Sequence, residues 1–323
     1  MKIAILDPSY VSDTIRSPNL GDQVISRAIT YQLKQIFPNA DLVYFPTKSV
    51  LNKIQIEEIM KCDYRFVAGS NLLWFRWWKY SAWKINYNMI RKLDNLIFLG
   101  VGWGDYRFKP NAFGRYVCKN IISKNMIHSF RDEFTTNYAA SGLLIKSCLN
   151  TICPTMWSLS KSHCNKITTK KSNKVLFTLT DYRKDRVNDE YLINTLLENY
   201  EEIHYFPQGS NDYEYFLSLN VNHKSIQSLE YSFNDFVKFV DNNTFDYVGT
   251  RLHAGIYCLE KFKRSIIIGV DNRALEINNT SNIPYISRDD ISSLNDYLNS
   301  DFKINIDLPE DSINKWKEQF NDC

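Results

Sequence analysis

The chain has 323 residues, and its 39 Lys plus Arg nearly balance 36 Asp plus Glu, for a net charge of +3. So small a charge argues against nucleic acid as a partner, and 44% hydrophobic residues excludes a chain that stays disordered. At roughly 100–200 residues per domain, the length suits two domains.

The chain opens MKIAIL, an apolar run that ends at Asp7 and reads as a strand, not a signal peptide. No apolar run reaches the ~18 residues of a membrane span. The 7 cysteines contain no CxxC pair and no metal-ligand spacing with histidine. They read as reduced thiols of a cytoplasmic protein, with no metal.

Short apolar runs then alternate with amphipathic stretches. Strands are expected at 2–6, 41–45, 64–69, 95–100, 126–130 and 150–153. Between them, 23–37 carries Val24, Ile25, Ala28, Ile29 and Leu33 on one helical face. Further helices are expected near 111–122 and 132–141. Residues 158–173 are polar and basic without a period, and read as a linker. Strands resume at 174–180, 201–206, 246–250 and 264–270, and 310–320 is amphipathic. This alternation predicts an α/β protein of two doubly wound, Rossmann-like domains, 1–157 and 174–305, facing each other across a cleft. Ligands of such sheets bind at the carboxyl ends of strands, so the residues that follow each strand carry the functional argument.

SPNLGDQVI (17–25) places Asn19, Gly21 and Asp22 at a helix start. Free N–H groups there suit an anion, although Asp22 also serves as an ordinary cap. Gly69, Ser70 and Asn71 follow the third strand, where a tight turn offers small polar donors or only a change of direction. GVGWGD (100–105) looks like a dinucleotide fingerprint. Asp105 stands where Gly or Ala is needed, however, so nicotinamide binding is rejected, and Gly102 reads as part of a cleft-lining loop. Arg131 after a strand either binds an acid group or pairs with a carboxylate, while Asp132 caps the next helix.

LLWFRWWKYSAWK (72–84) mixes Trp74, Trp77, Trp78 and Trp83 with Arg76, Lys79 and Lys84. That mixture suits a bilayer interface, a sugar platform or a protein interface.

In the second half, Arg183 follows the strand at 174–180 and reads as an anion ligand or a solvated surface group. Gln208 follows the strand at 201–206, and Asp271 and Arg273 follow that at 264–270. DYVGTRLHAGI (246–256) is the most informative segment. A strand ends at Gly249, and Arg251 and His253 follow near a helix start. Arg251 offers a bidentate fork for phosphate or carboxylate, and His253 can carry a proton near neutral pH.

Taken together, NLGD (19–22), the Gly-Ser-Asn turn (69–71), GVGWG (100–104), FRD (130–132), CPTMW (153–157), GTRLHAGI (249–256) and DNR (271–273) resemble the polysaccharide pyruvyltransferase family. The resemblance implies the two-domain GT-B-like architecture, with residues 306–323 forming a helix that returns to the first domain. It implies an enzyme that moves the pyruvyl group of phosphoenolpyruvate onto a sugar of a bacterial surface glycan, forming a ketal and releasing phosphate.

It further implies that Arg251 grips the donor and that His253 is the general acid or a phosphate ligand. Gly249, Thr250, Leu252, Gln208, Arg273 and Arg183 are expected beside them. Asn19, Gly21, Gly69, Ser70, Asn71, Gly102 and Arg131 are expected on an acceptor-facing wall, with Asp22 accepting a hydroxyl proton. Phosphoenolpyruvate is then a co-substrate and no cofactor is required. The acceptor is a lipid-linked oligosaccharide, and a peripheral contact with the inner face of the cell membrane follows through 72–84. The alternatives are a nucleotide-sugar glycosyltransferase of the same architecture, and a glycan-binding protein without turnover.

Overall fold

The computed structural model describes residues 1–74 and 83–321, which group into two α/β units. The first contains Met1–Ser17, Ile25–Trp157 and Pro309–Cys323, and the second contains Pro18–Val24 and Ser158–Leu308.

In the first unit, β1 (Lys2–Asp7), β2 (Asp41–Pro46), β3 (Tyr64–Ala68) and β4 (Ile97–Leu99) form a parallel sheet in the order β2-β1-β3-β4. β5 (His128–Phe130) and β6 (Cys148–Asn150) pair in parallel. A bridge between Val101 and Phe130 joins them to the larger sheet. The hydrophobic runs are buried because helices cover the sheet, and Ala4, Leu6, Val67 and Phe98 lie in one core cluster with Trp83 and Trp103.

The imidazole of His128 ties β4 to β5. Its Nδ1 accepts from the Phe98 N–H at 3.2 Å, which leaves Nε2–H to donate to the Ser123 carbonyl at 2.9 Å. Burial drives its pKa down to about 4, outweighing that last hydrogen bond, so the ring is neutral at pH 7.

The C-terminal helix Glu310–Glu318 belongs to this unit. Its Trp316 is fully buried against Phe66, Trp157 and Phe320. Gln319 exchanges hydrogen bonds with the backbone of Ile127.

The second unit holds one parallel sheet of six strands: β7 (Lys174–Thr178), β8 (Glu202–Tyr205), β9 (Ile226–Ser228), β10 (Asp246–Gly249), β11 (Ser265–Gly269) and β12 (Tyr285–Ser287). Their order, β12-β11-β10-β7-β8-β9, reverses direction between β10 and β7. That point is where a doubly wound sheet opens a crevice for ligands. At the opposite end of the sheet Arg264 donates to Asp246 at 2.6 Å, and the Tyr200 hydroxyl joins them at 2.9 Å, so the buried charges are paired.

Several expectations change. The strand expected at 150–153 lies at Cys148–Asn150, because Ile152 takes φ 59° and Pro154 opens a short helical turn. The periodicity missed β9 and β12. Both are three-residue edge strands, and each buries a single side chain, Ile226 or Ile286. Residues 158–173 are not a bare linker. Leu159, Cys164 and Ile167 are buried, and a short helix, Lys161–Cys164, lets the His163 ring bond the Leu259 carbonyl at 2.9 Å. Three sparse apolar residues hold that stretch down, too few to show a period. Of the aromatic segment, Leu72, Leu73 and Trp83 are buried, whereas Trp77, Trp78, Arg76 and Lys79 lie outside the described residues. Among the described residues no helix is long and apolar enough to cross a membrane.

Candidate functional site

Because every strand of the second sheet points the same way, all its carboxyl ends share one edge. The residues that follow β7, β8, β10 and β11 therefore converge there. Gly249 lets β10 approach β7 closely: a β-carbon at that position would lie 2.4 Å from the Thr178 hydroxyl and 2.7 Å from its backbone nitrogen. Next to it the Thr180 and Thr250 hydroxyls bond each other at 2.8 Å. Gly249 and Thr250 thus build the floor of the site by packing strand ends together.

Arg251 precedes the helix Leu252–Glu260 and is 7% exposed. Its Nε donates to the Leu179 carbonyl at 2.9 Å and to Asp212 at 3.1 Å. Its Nη2 donates to Asp181 at 3.1 Å and also to Asp212. Among the described residues Nη1 makes no hydrogen bond to the protein. One edge of the guanidinium is therefore committed to the chain itself, and the remaining nitrogen is the one left for a ligand. Burial disfavours its charge, but Asp212 and its neighbours outweigh that effect and keep it protonated.

Asp212 has no counterpart among the residues expected from the sequence. It is fully buried and accepts from the backbone N–H groups of Gln208 at 3.0 Å, Gly209 at 2.7 Å and Asp181 at 3.0 Å, besides Arg251. One carboxylate thus fixes three loops. Burial pushes its pKa up and Arg251 pulls it back only in part. For Asp181, burial is outweighed by hydrogen bonding with Asp212 and by the Arg251 charge, and its carboxyl sits below the usual range. The sequence signal that could have found Asp212 is PQGSND (207–212), an Asp four residues after Gln208 in a Gly-Ser-Asn turn.

His253, 8% exposed, is the second residue of the helix Leu252–Glu260, and Leu252 beside it is buried. Around its ring lies a segment expected elsewhere. Pro18–Val24 was read as part of the first half, but it belongs to the second unit. Leu20 and Val24 join Phe206, Tyr247 and Ala254 in an apolar cluster, and the Leu20 N–H donates to the Gln208 carbonyl at 3.3 Å. Burial of two apolar side chains outweighs sequence proximity to β1.

Asn19 folds its side chain back to accept the Gly21 N–H at 3.1 Å, and Asp22 is buried one residue on. Asp22 does not open the helix as a cap, since the helix runs Leu20–Ile36 and already includes it. A β-carbon on Gly21 would lie 2.8 Å from Gln208 Nε2 and 3.7 Å from His253 Nδ1. Asn19, Gly21, Gln208 and His253 are consequently one cluster. Gln208 is 4% exposed, and its Oε1 is buried without a hydrogen-bond partner among the described residues. An amide oxygen left so costs stability unless a ligand or water meets it.

Arg273 follows β11 and donates to Asp271 at 2.9 Å and to the Tyr182 hydroxyl. The Tyr182 ring lies between two cations, 5.1 Å from the Arg251 guanidinium and 5.7 Å from that of Arg273. Arg183 is exposed, and only its carbonyl is engaged, by Arg288 at 2.6 Å.

The first unit brings its expected residues together separately. Gly69 and Ser70 both take positive φ, 50° and 60°, in the turn after β3. The Ser70 carbonyl accepts the Gly102 N–H at 2.9 Å, and the Arg131 guanidinium lies over Gly102. Arg131 pairs with Asp132 at 3.1 Å, while Asp132 caps its helix through the Thr135 N–H at 2.6 Å and holds the Tyr106 hydroxyl at 2.8 Å. Asn71 Oδ1 is buried without a hydrogen-bond partner among the described residues.

No curated protein matches the chain. A family model described as polysaccharide pyruvyl transferase matches residues 19–272, a span that holds both clusters. With the match running from Asn19 of the His253 cluster to the helix that follows β11, the chain belongs to the polysaccharide pyruvyl transferase family and is a transferase enzyme acting on polysaccharide.

Proposed function

We propose that this enzyme takes the pyruvyl group from phosphoenolpyruvate and builds a pyruvate ketal on a sugar of a lipid-linked precursor of a surface polysaccharide. The observation that carries the reading is the cluster at the strand-order reversal. Arg251 keeps one nitrogen outside its carboxylate pairs, His253 lies beside it in sequence at a helix N-terminus, and Gln208 holds a buried, unmatched amide oxygen. A phosphate and a carboxylate need cations and oriented N–H groups, and a helix N-terminus supplies the latter. Arg273 adds a second guanidinium around Tyr182.

In the proposed reaction His253 delivers a proton to the methylene carbon, which becomes a methyl group. The adjacent carbon becomes an oxocarbenium centre, and one sugar hydroxyl adds to it as its own proton leaves. The carbon–oxygen bond to phosphate then breaks and inorganic phosphate departs, assisted by Arg251. A second hydroxyl closes the ketal and loses its proton. Asp22 is the proposed acceptor of a hydroxyl proton, and no cofactor takes part. Gly69, Ser70, Asn71, Gly102 and Arg131 are proposed to contact the acceptor, as in GT-B-like enzymes that divide two substrates between two sheets. Any membrane contact of residues 72–84 belongs to this same proposal.

The test is incubation with phosphoenolpyruvate and lipid-linked galactose- or mannosamine-type acceptors. Mass spectrometry should show one pyruvyl unit, less water, added per acceptor with equimolar phosphate released. Phosphate release without acceptor modification, or transfer from a nucleotide sugar, overturns the reading.

A further inference from the structure

The first unit carries a cavity of about 730 Å³ that no part of the proposed reaction uses. It lies between the helix Ala112–Ile121 and the turn that leads into β6. Its apolar lining includes Ile122, Leu143 and Ile145, all buried. Its rim carries Arg115, Lys119, Lys124 and Lys146, all exposed, and no acidic residue lines it.

The charge asymmetry extends beyond the rim. Residues 106–131 contain Arg107, Lys109, Arg115, Lys119, Lys124 and Arg131 but no Asp or Glu, and none occurs from 134 to 180 either. In a chain whose net charge is only +3, this is a concentrated positive sector. At its mouth Leu144 takes φ 61° and is 65% exposed, and Tyr116 is 47% exposed. A branched aliphatic side chain is held in water in an uncommon backbone conformation. Arg115 fixes the neighbouring turn by donating to the Gly142 carbonyl at 2.6 Å.

From this we infer that the cavity is a docking site for an anionic membrane lipid, whose hydrocarbon chain enters the apolar lining while its phosphate meets the lysine rim. The chemistry decides among partners. Nucleic acid would want stacking rings along a basic groove, and the lining offers one tyrosine. An acidic amphipathic helix needs roughly 850 Å³ for two turns of 10 Å diameter, more than the cavity holds. A hydrocarbon chain is slim enough, and apolar surface combined with cations is what peripheral membrane binding uses. The inference stands apart from the phosphoenolpyruvate reading, since it concerns binding and not turnover.

The test is sedimentation of the full chain with vesicles of phosphatidylcholine alone, or with about one-third phosphatidylglycerol, at low and high salt. Wild type should bind the anionic vesicles and release them as salt rises. Each Lys near an anionic surface is worth about five-fold in affinity. Lys119→Gln/Lys124→Gln/Lys146→Gln should therefore weaken binding about 100-fold with unchanged thermal unfolding. Leu144→Ser should weaken binding about ten-fold or more, with less salt dependence. Equal binding of the triple variant and wild type overturns the proposal, even if both bind, because the contact then lies elsewhere. So does equal binding to neutral vesicles, or no binding at all.

Discussion

Nδ1 of His253 lies 3.7 Å from the point where a side chain on Gly21 would begin, and Gln208 Nε2 lies closer still, at 2.8 Å. Two residues 232 positions apart in sequence therefore share one small space, and the missing β-carbon is what leaves it open.

Gly21→Ala puts a methyl group into that space. It sits in the first turn of a helix, where Ala gains up to about 1 kcal/mol over Gly. The added methyl displaces the Gln208 amide, a flexible group, so stability should hold or rise while activity falls. Denaturant unfolding together with phosphate release from phosphoenolpyruvate checks it. Wild-type turnover in the variant would remove Gly21 from the site.

His253→Ala should cut acceptor-dependent phosphate release by about 10²–10⁴-fold, the usual contribution of a general acid. The side chain is 8% exposed and packed beside apolar residues, so circular dichroism and thermal unfolding must show the fold intact. A folded variant of full activity would end the assignment.

Asp212→Asn separates positioning from binding. Removing one partner from a buried ion pair costs about 3–5 kcal/mol, and three backbone donors lose a charged acceptor. Unfolding of the second unit should shift accordingly. Arg251→Lys keeps a charge but has no planar fork, so it should raise KM for phosphoenolpyruvate. An unchanged KM would show that Arg251 serves only to hold Asp212 and Asp181.

His128 predicts a pH effect. Its pKa falls from the ordinary 6.5 to about 4 on folding. Between those values the unfolded chain binds the proton and the folded chain does not. Stability therefore falls as pH drops below 6.5, by about 1.4 kcal/mol per unit at most. His128→Asn can still accept from Phe98 N–H but does not titrate. The stability advantage of wild type over this variant should shrink by about 2 kcal/mol between pH 6.5 and pH 5. A constant difference across that range would mean that the ring is already solvated.

Much of the architecture was legible because strand–helix alternation is a local property. Runs such as KVLFTLT and RSIIIGV announce buried strands, and a parallel sheet then places Gln208, Arg251 and Arg273 on one edge. β9 and β12 were not legible, since an edge strand with one buried side chain leaves no period. Nor was the packing of 158–173, where Leu159, Cys164 and Ile167 are spaced too irregularly to declare a face.

The sequence by itself determined the α/β class, the strand ends that carry polar groups and the order of the family motifs, because periodicity and turn chemistry act between near neighbours. Only the tertiary structure decided that Asn19 and Gly21 stand with His253, and that Asp212 gathers Gln208, Asp181 and Arg251. Such meetings depend on which apolar faces bury together and on which buried charge finds a partner. Both are settled between residues far apart in the chain, where a linear pattern carries no record of the contact.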